Sequence, residues 1–313
     1  MNRVRTHWAG MGEHTFVFGI WLLYWVHRLC GRRLFRLCMY PVALSHWLLR
    51  PGLRAASLQY LSRLEAATGA LGHRPDWRDG VRHVALFAET MLDKLLAVSG
   101  RYHGPVRSIG SEPVYQAALA GQGGVIVTAH LGCLELCRAL AERRSGFRLN
   151  VLVHTRHAER FNRLLRRFGA DAGVRLLEVT EISPATAVLL ADKVAAGEYV
   201  AIAGDRVPVF ASQTVEAEFL GHRAPFPVGP YVLASLLRCP LYLLGCIHEG
   251  RGYALHFEQL AEQVVLPRGR REAAMAEYAG RFARALTGLV ARSPYDWFNF
   301  FPFWDQPHVK ASS

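Results

Sequence analysis

Between Gly124 and Leu140 the hydrophobic pattern changes its period, and this restricts the folds open to the chain. Val125, Ile126 and Val127 form an unbroken β-branched run after Gly123 and Gly124, the signature of a short strand buried on both faces of a parallel sheet. From Leu134 to Leu140 the apolar residues return at helical intervals. The turn between them carries His130, which places this histidine at the carboxyl end of a strand, where open α/β sheets hold their ligands. Further strand candidates follow at 149–153, 175–179, 199–203, 241–247 and 253–257, most of them separated by helical stretches. The fold class this predicts is α/β, with a mostly parallel central sheet flanked by helices.

His130 is followed five residues later by Glu135. On one continuous helix that step turns roughly 140° about the axis, and the two side chains could not meet. With His130 on the turn and Glu135 in the first helical turn, the carboxylate can fold back, favoured by the positive end of the helix. A carboxylate on one ring nitrogen would fix the tautomer and leave the other nitrogen free to take a proton. Spacing alone is a weak guide, because 14 histidines and 25 acidic residues among 313 produce about one such pair by chance. A second pair, His154 and Glu159, also follows an apolar run. Local chemistry leaves both pairs open.

At 313 residues the chain can bury a large core, as one large domain or two modest ones. Its formal charge of +12 comes almost wholly from arginine, with lysine only at Lys94, Lys193 and Lys310. Such a balance points to anionic partners. Residues Phe16 to Val26 are uncharged but too short to span a bilayer as a helix, and no cleavage site of a signal peptide follows them. A second apolar segment, Leu34 to Leu49, is interrupted by Arg36, Pro41 and His46. Trp8, Trp21, Trp25 and Trp47 lie among these first fifty residues, and tryptophan with arginine bordering short apolar helices is the composition of a membrane interface. A helical pair packed on the core is the rival reading. The long apolar runs argue against nucleic acid as the partner. Residues 1–50 are therefore predicted as a hydrophobic, membrane-associating helical segment, and 51–313 as the α/β body. Within that body, Pro75 and Asp76 mark a helix start.

The six cysteines, 30, 38, 133, 137, 239 and 246, show no metal-ligand spacing and read as reduced, buried thiols, so no metal is predicted. Cys133 lies close enough to His130 to be weighed as a nucleophile. The chain lacks a G-x-S-x-G elbow, a P-loop and a G-x-G-x-x-G turn. Asp205 and Arg206 end another strand and should face the sheet edge that carries His130. Phe219 to Pro230 reads as a proline and glycine loop before an apolar helix, with Phe226 and Gly229 as candidates for a pocket wall. Pro294 to Trp304 holds seven aromatics in eleven residues, either as core or as a membrane-facing skirt.

Taken in order, these motifs resemble the bacterial lipid A biosynthesis acyltransferases, the lauroyl and myristoyl transferases. The likeness rests on His130-Leu-Gly-Cys-Leu-Glu135 after an apolar strand, Gly204-Asp205 after a later one, Phe-Leu-Gly and Pro-Phe-Pro-x-Gly-Pro between Phe219 and Pro230, and the hydrophobic ends. The resemblance implies that His130 and Glu135, the His-x4-Glu pair, are catalytic, and that a fatty acyl chain passes from a thioester donor, acyl carrier protein, to a hydroxyl of a lipid or glycolipid. Arg156, Asp205, Arg206, Phe226 and Gly229 are then expected at the substrates, and backbone N–H groups from Leu131 to Cys133 at the oxyanion. No cofactor is required. The place of action would be the inner membrane, by peripheral or N-terminal attachment, with the site on the cytoplasmic side beside an anionic surface. A thioesterase or hydrolase, and a non-catalytic acyl-chain-binding protein, are the alternatives.

Overall fold

The structure, a computed structural model, describes residues 14–137, 147–153, 174–178, 184–207 and 213–306. The described residues open with three helices, α1 (His14–Leu49), α2 (Pro51–Thr68) and α3 (Trp77–Val98). The two apolar segments of the N-terminus are the halves of α1, which is broken at Gly31, where φ is 77°. Among the described residues no helix is long and apolar enough to cross a membrane. Asp76 caps α3 and forms a reciprocal capping box with Asp79, so the start signalled by Pro75 and Asp76 is realised.

Helix α1 lies on α3. Phe35 and Met39 pack with Leu92 and Leu96, and Trp47 with Val81, Val84 and Ala85. Two of its arginines reach across to α3, Arg32 to Asp93 at 2.6 Å and Arg36 to Glu89 at 2.8 Å. Asp93 has no exposed surface, and burial raises its pKa against the pull of Arg32. Part of the N-terminal positive charge is therefore structural. The opposite side of α1 leaves Trp25, Leu29, Leu37, Leu48 and Leu49 exposed.

Among the described residues the body is a seven-stranded sheet in the order β1-β9-β8-β2-β5-β3-β4. Its strands are β1 (Val106–Ile109), β2 (Gly124–Thr128), β3 (Leu149–Val153), β4 (Val174–Glu178), β5 (Tyr199–Ala203), β8 (Leu241–Glu249) and β9 (Gly252–Ala261). Neighbours pair in parallel except β8 with β9, so β9 and β1 run against the other five. Helices α4 (Ser111–Leu119), α5 (Pro184–Ala195), α6 (Gly229–Leu237) and α7 (Arg271–Arg292) complete the described helical layers. The mixed α/β class with a mostly parallel centre is as the periodicity predicts. Strand β2 is buried along its whole length, as its β-branched run requires.

The stretch read as a pocket-lining loop is different. Residues Thr214–Phe219 and His222–Pro227 form an antiparallel hairpin, β6 and β7, paired only with each other. Leu220 and Gly221 turn it with φ of 52° and 75°, the double positive φ of a tight hairpin turn. Leu at such a φ is costly, and its burial at 4% exposure in the main core supplies compensation. Tyr295, Trp297, Phe301, Phe303 and Trp304 of the C-terminal segment belong to that same core: the Trp297 ring meets Tyr60, Phe219 and Phe303 at centroid distances of 4.9–5.2 Å.

Candidate active site

The register of two parallel strands builds the site. Thr128 ends β2 opposite Ala203, which ends β5. The Gly204 N–H donates to the Thr128 carbonyl at 2.8 Å, carrying the pairing one step beyond the strands. His130 and Asp205, each two residues past its strand, therefore stand level at the carboxyl edge of the sheet. One Asp205 oxygen meets His130 Nδ1 at 2.8 Å, and the other accepts the His130 backbone N–H at 2.8 Å. The Trp297 indole N–H donates to that second oxygen at 3.0 Å.

Three N–H groups on one carboxylate favour its ionised form. Burial would raise the Asp205 pKa, but His130, through charge and hydrogen bonds, and Arg206 together hold it at about 2. The His130 pKa is lowered, first by burial and then by the Arg206 charge, against the pull of Asp205. At neutral pH the ring is neutral, with its proton on Nδ1 as the hydrogen bond to Asp205 assigns. Nε2 is left as a base. The side chain keeps 37% of its surface open, so a substrate has access to it.

A three-residue strap from the C-terminal segment locks this turn. Gly132 N–H donates to Asp296 O and Phe298 N–H to His130 O, each at 2.9 Å, and Leu131 bridges Trp297 in antiparallel fashion. Gly132 has φ of 56°, and a Cβ there would collide with the Cys246 carbonyl, so only glycine fits. Asp296 is itself the acid of a second pair: it accepts the His248 backbone N–H at 2.6 Å and meets His248 Nδ1 at 2.7 Å. Behind the strap, His83 takes the hydroxyl of Ser57 on Nδ1 at 2.9 Å and donates from Nε2 to the Trp297 carbonyl at 2.9 Å. Burial depresses its pKa to about 4. Sequence reasoning missed Asp296, Trp297 and His248, which no local spacing ties to His130.

Glu135 does not occupy the position that its spacing suggested. It lies in a short 3-10 turn, Leu134–Leu136, with one carboxylate oxygen 3.3 Å from Lys94 Nζ and the other 3.8 Å from Cys133 Sγ. The acid on His130 Nδ1 is Asp205, because strand register brings a residue distant in sequence closer than a five-residue turn does. The oxyanion donors foreseen between Leu131 and Cys133 are already engaged. Leu131 N–H donates to Ala129 O, Gly132 N–H to Asp296 O, and Cys133 N–H faces the Cys246 thiol.

Arg206 lies near His130: its guanidinium donates to Phe298 O at 3.2 Å and its charge acts on the His130 ring. Lys94 also acts on His130. Phe226 is instead a core ring, fully buried between Phe219, Phe282 and Phe303, because the hairpin folds it inward. Gly229 opens α6. Arg156, His154 and Glu159 lie outside the described residues. Burial, reinforced by Glu135, pushes the Cys133 thiol well up, so it is no nucleophile at neutral pH. Among the described residues no group of three or more His, Cys, Asp or Glu side chains is arranged to hold a metal ion.

Residues 81–306 match the family model of the bacterial lipid A biosynthesis acyltransferases. The chain belongs to this family. Comparison with curated proteins gives no match. The family match spans His130, Asp205, His248 and the 296–298 strap, and the enzyme is an acyltransferase of lipid A biosynthesis. Helices α1 and α2 precede it.

Proposed function

We propose that the protein moves a fatty acyl chain from a thioester donor, acyl carrier protein, to a hydroxyl of a lipid or glycolipid acceptor, with His130 as the general base. The carboxylate-held imidazole with an open ring carries this reading. Nε2 takes the proton of the acceptor hydroxyl as its oxygen attacks the thioester carbonyl. The C–S bond then breaks, and the imidazolium returns its proton to the leaving thiolate. Asp205 holds the tautomer and stabilises the imidazolium between these steps. The oxyanion needs a donor other than the engaged backbone amides, and the charges of Arg206 and Lys94, both acting on His130, supply candidates. Glu135 enters as the partner of Lys94. Arg156 is kept as a substrate contact on its sequence position.

Residues 1–50 form the membrane-associating part in this reading and 51–313 the catalytic body. The exposed apolar side of α1 would lie on the cytoplasmic leaflet of the inner membrane, and the basic surface would receive anionic headgroups and an acidic carrier protein. His130→Ala should reduce transfer of a labelled dodecanoyl chain from acyl carrier protein to a lipid A precursor by about 10²-fold or more. Its melting temperature should stay near that of the parent. Undiminished transfer by His130→Ala, or a chain delivered to water whatever acceptor is present, would refute the reading.

A further inference from the structure

The geometry points to Trp297 as a positioning residue of the His130–Asp205 pair, its indole N–H fixing the carboxylate that holds the catalytic ring. This rests on the reading of His130 as the base. Trp297 has no exposed surface, and its ring is enclosed by Tyr60, Phe219, Phe303 and Trp304. Its backbone is fixed from three sides: by the bonds between the strap and the His130 turn, by His83 on its carbonyl, and by the His248 clamp on Asp296. An indole so enclosed has one place to put its N–H, and the acceptor is Asp205 Oδ2.

That hydrogen bond sets two properties of the pair. It forbids rotation of the carboxylate, so Oδ1 stays in line with His130 Nδ1. It also spreads part of the Asp205 charge onto a third donor, and a carboxylate so shared stabilises the imidazolium less than a bare one would. Removing the N–H should therefore loosen the geometry while raising the basicity of His130. Simple core packing makes neither prediction, since it answers only to ring volume.

Trp297→Phe retains an aromatic ring and removes the donor. By solution NMR of the full chain with 15N-labelled histidine, the His130 titration midpoint should rise by about half a pH unit. With dodecanoyl acyl carrier protein and a lipid A precursor, kcat should fall about tenfold with KM changed less than twofold, and the acidic limb of kcat/KM should move up with the midpoint. If Trp297→Phe does not fold, benzothienylalanine placed at 297 keeps the indole outline without the N–H and gives the same two readouts. An unmoved midpoint in a folded variant overturns the proposal, as does full activity. The NMR arm needs no turnover: a shifted midpoint in a chain that transfers no acyl group would leave Trp297 in place and refute the proposed reaction instead.

Discussion

Among the described residues the same clamp occurs twice. His130–Asp205 and His248–Asp296 each bind a strand-end histidine through its backbone N–H and Nδ1 to the two oxygens of a buried aspartate. They belong to adjacent parallel strands, β2 and β8, and are joined through the 296–298 strap. What differs is the outer side of the ring. His130 keeps 37% of its side-chain surface exposed and feels two nearby cations. His248 keeps 24%, but its Nε2 is buried with no hydrogen-bond partner, and its ring lies 4.0 Å from that of Tyr253. An acid partner makes a histidine well held; an accessible Nε2 makes it a base. We therefore assign chemistry to the first pair and the fixing of the strap to the second.

The largest expected effect separates the two acids. Asp205→Asn removes the charge that stabilises the imidazolium and should lower kcat/KM by about 10²–10⁴-fold, with the protein still folded. Asp296→Asn should act mainly on stability, by about 1–3 kcal/mol in urea unfolding, since it weakens a buried charge-assisted acceptor of two N–H bonds. If Asp296→Asn cost as much activity as Asp205→Asn at unchanged stability, the two pairs would be functionally equivalent and our division would fail.

A third histidine extends the comparison to complete enclosure. His83 has no exposed surface and a pKa of about 4, so the unfolded chain, with a histidine near 6.5, binds the proton more readily. Its contribution is full above pH 6.5 and is lost as the pH falls towards 4. The arithmetic gives a loss of about 2 kcal/mol by pH 5. Urea unfolding at pH 8 and pH 5 should show this loss in the parent, and His83→Gln should remove most of the difference. An equal pH dependence in both would mean that His83 does not carry it.

Legibility from sequence follows the range of the interaction that decides each feature. The strands at 125–128 and 199–203 are local, set by a β-branched run in the first and a short apolar run in the second, and the site edge followed from them. Placing Asp205 and Arg206 on the His130 edge was equally a matter of strand order. Choosing which carboxylate meets the ring required register between strands 75 residues apart, and a nearby Glu135 offered a plausible substitute. The 214–227 hairpin escaped because Gly221, Pro225 and Pro227 mask its period, although β7 pairs with β6 alone and its other edge tolerates prolines. The role of Trp297 was hidden among seven aromatics, since composition gives burial and only the folded path gives an N–H its acceptor.

Glu135 supplies the smallest and most discriminating test. It shares a half-buried ion pair with Lys94, and Lys94 in turn lowers the pKa of His130. In Glu135→Gln the lysine charge loses its counterion, so the His130 midpoint should move down by only about a few tenths of a pH unit. Asp205→Asn, which removes the carboxylate in contact with Nδ1, should move it down by more than about one unit. Both shifts have the same sign, because each variant leaves the imidazolium in a more positive surrounding, and their sizes rank the contacts. NMR titration of His130 in the two variants measures this directly, apart from any effect that Glu135 exerts on substrate through Lys94. Equal shifts would return Glu135 to the ring of His130 and leave Asp205 as a structural acid.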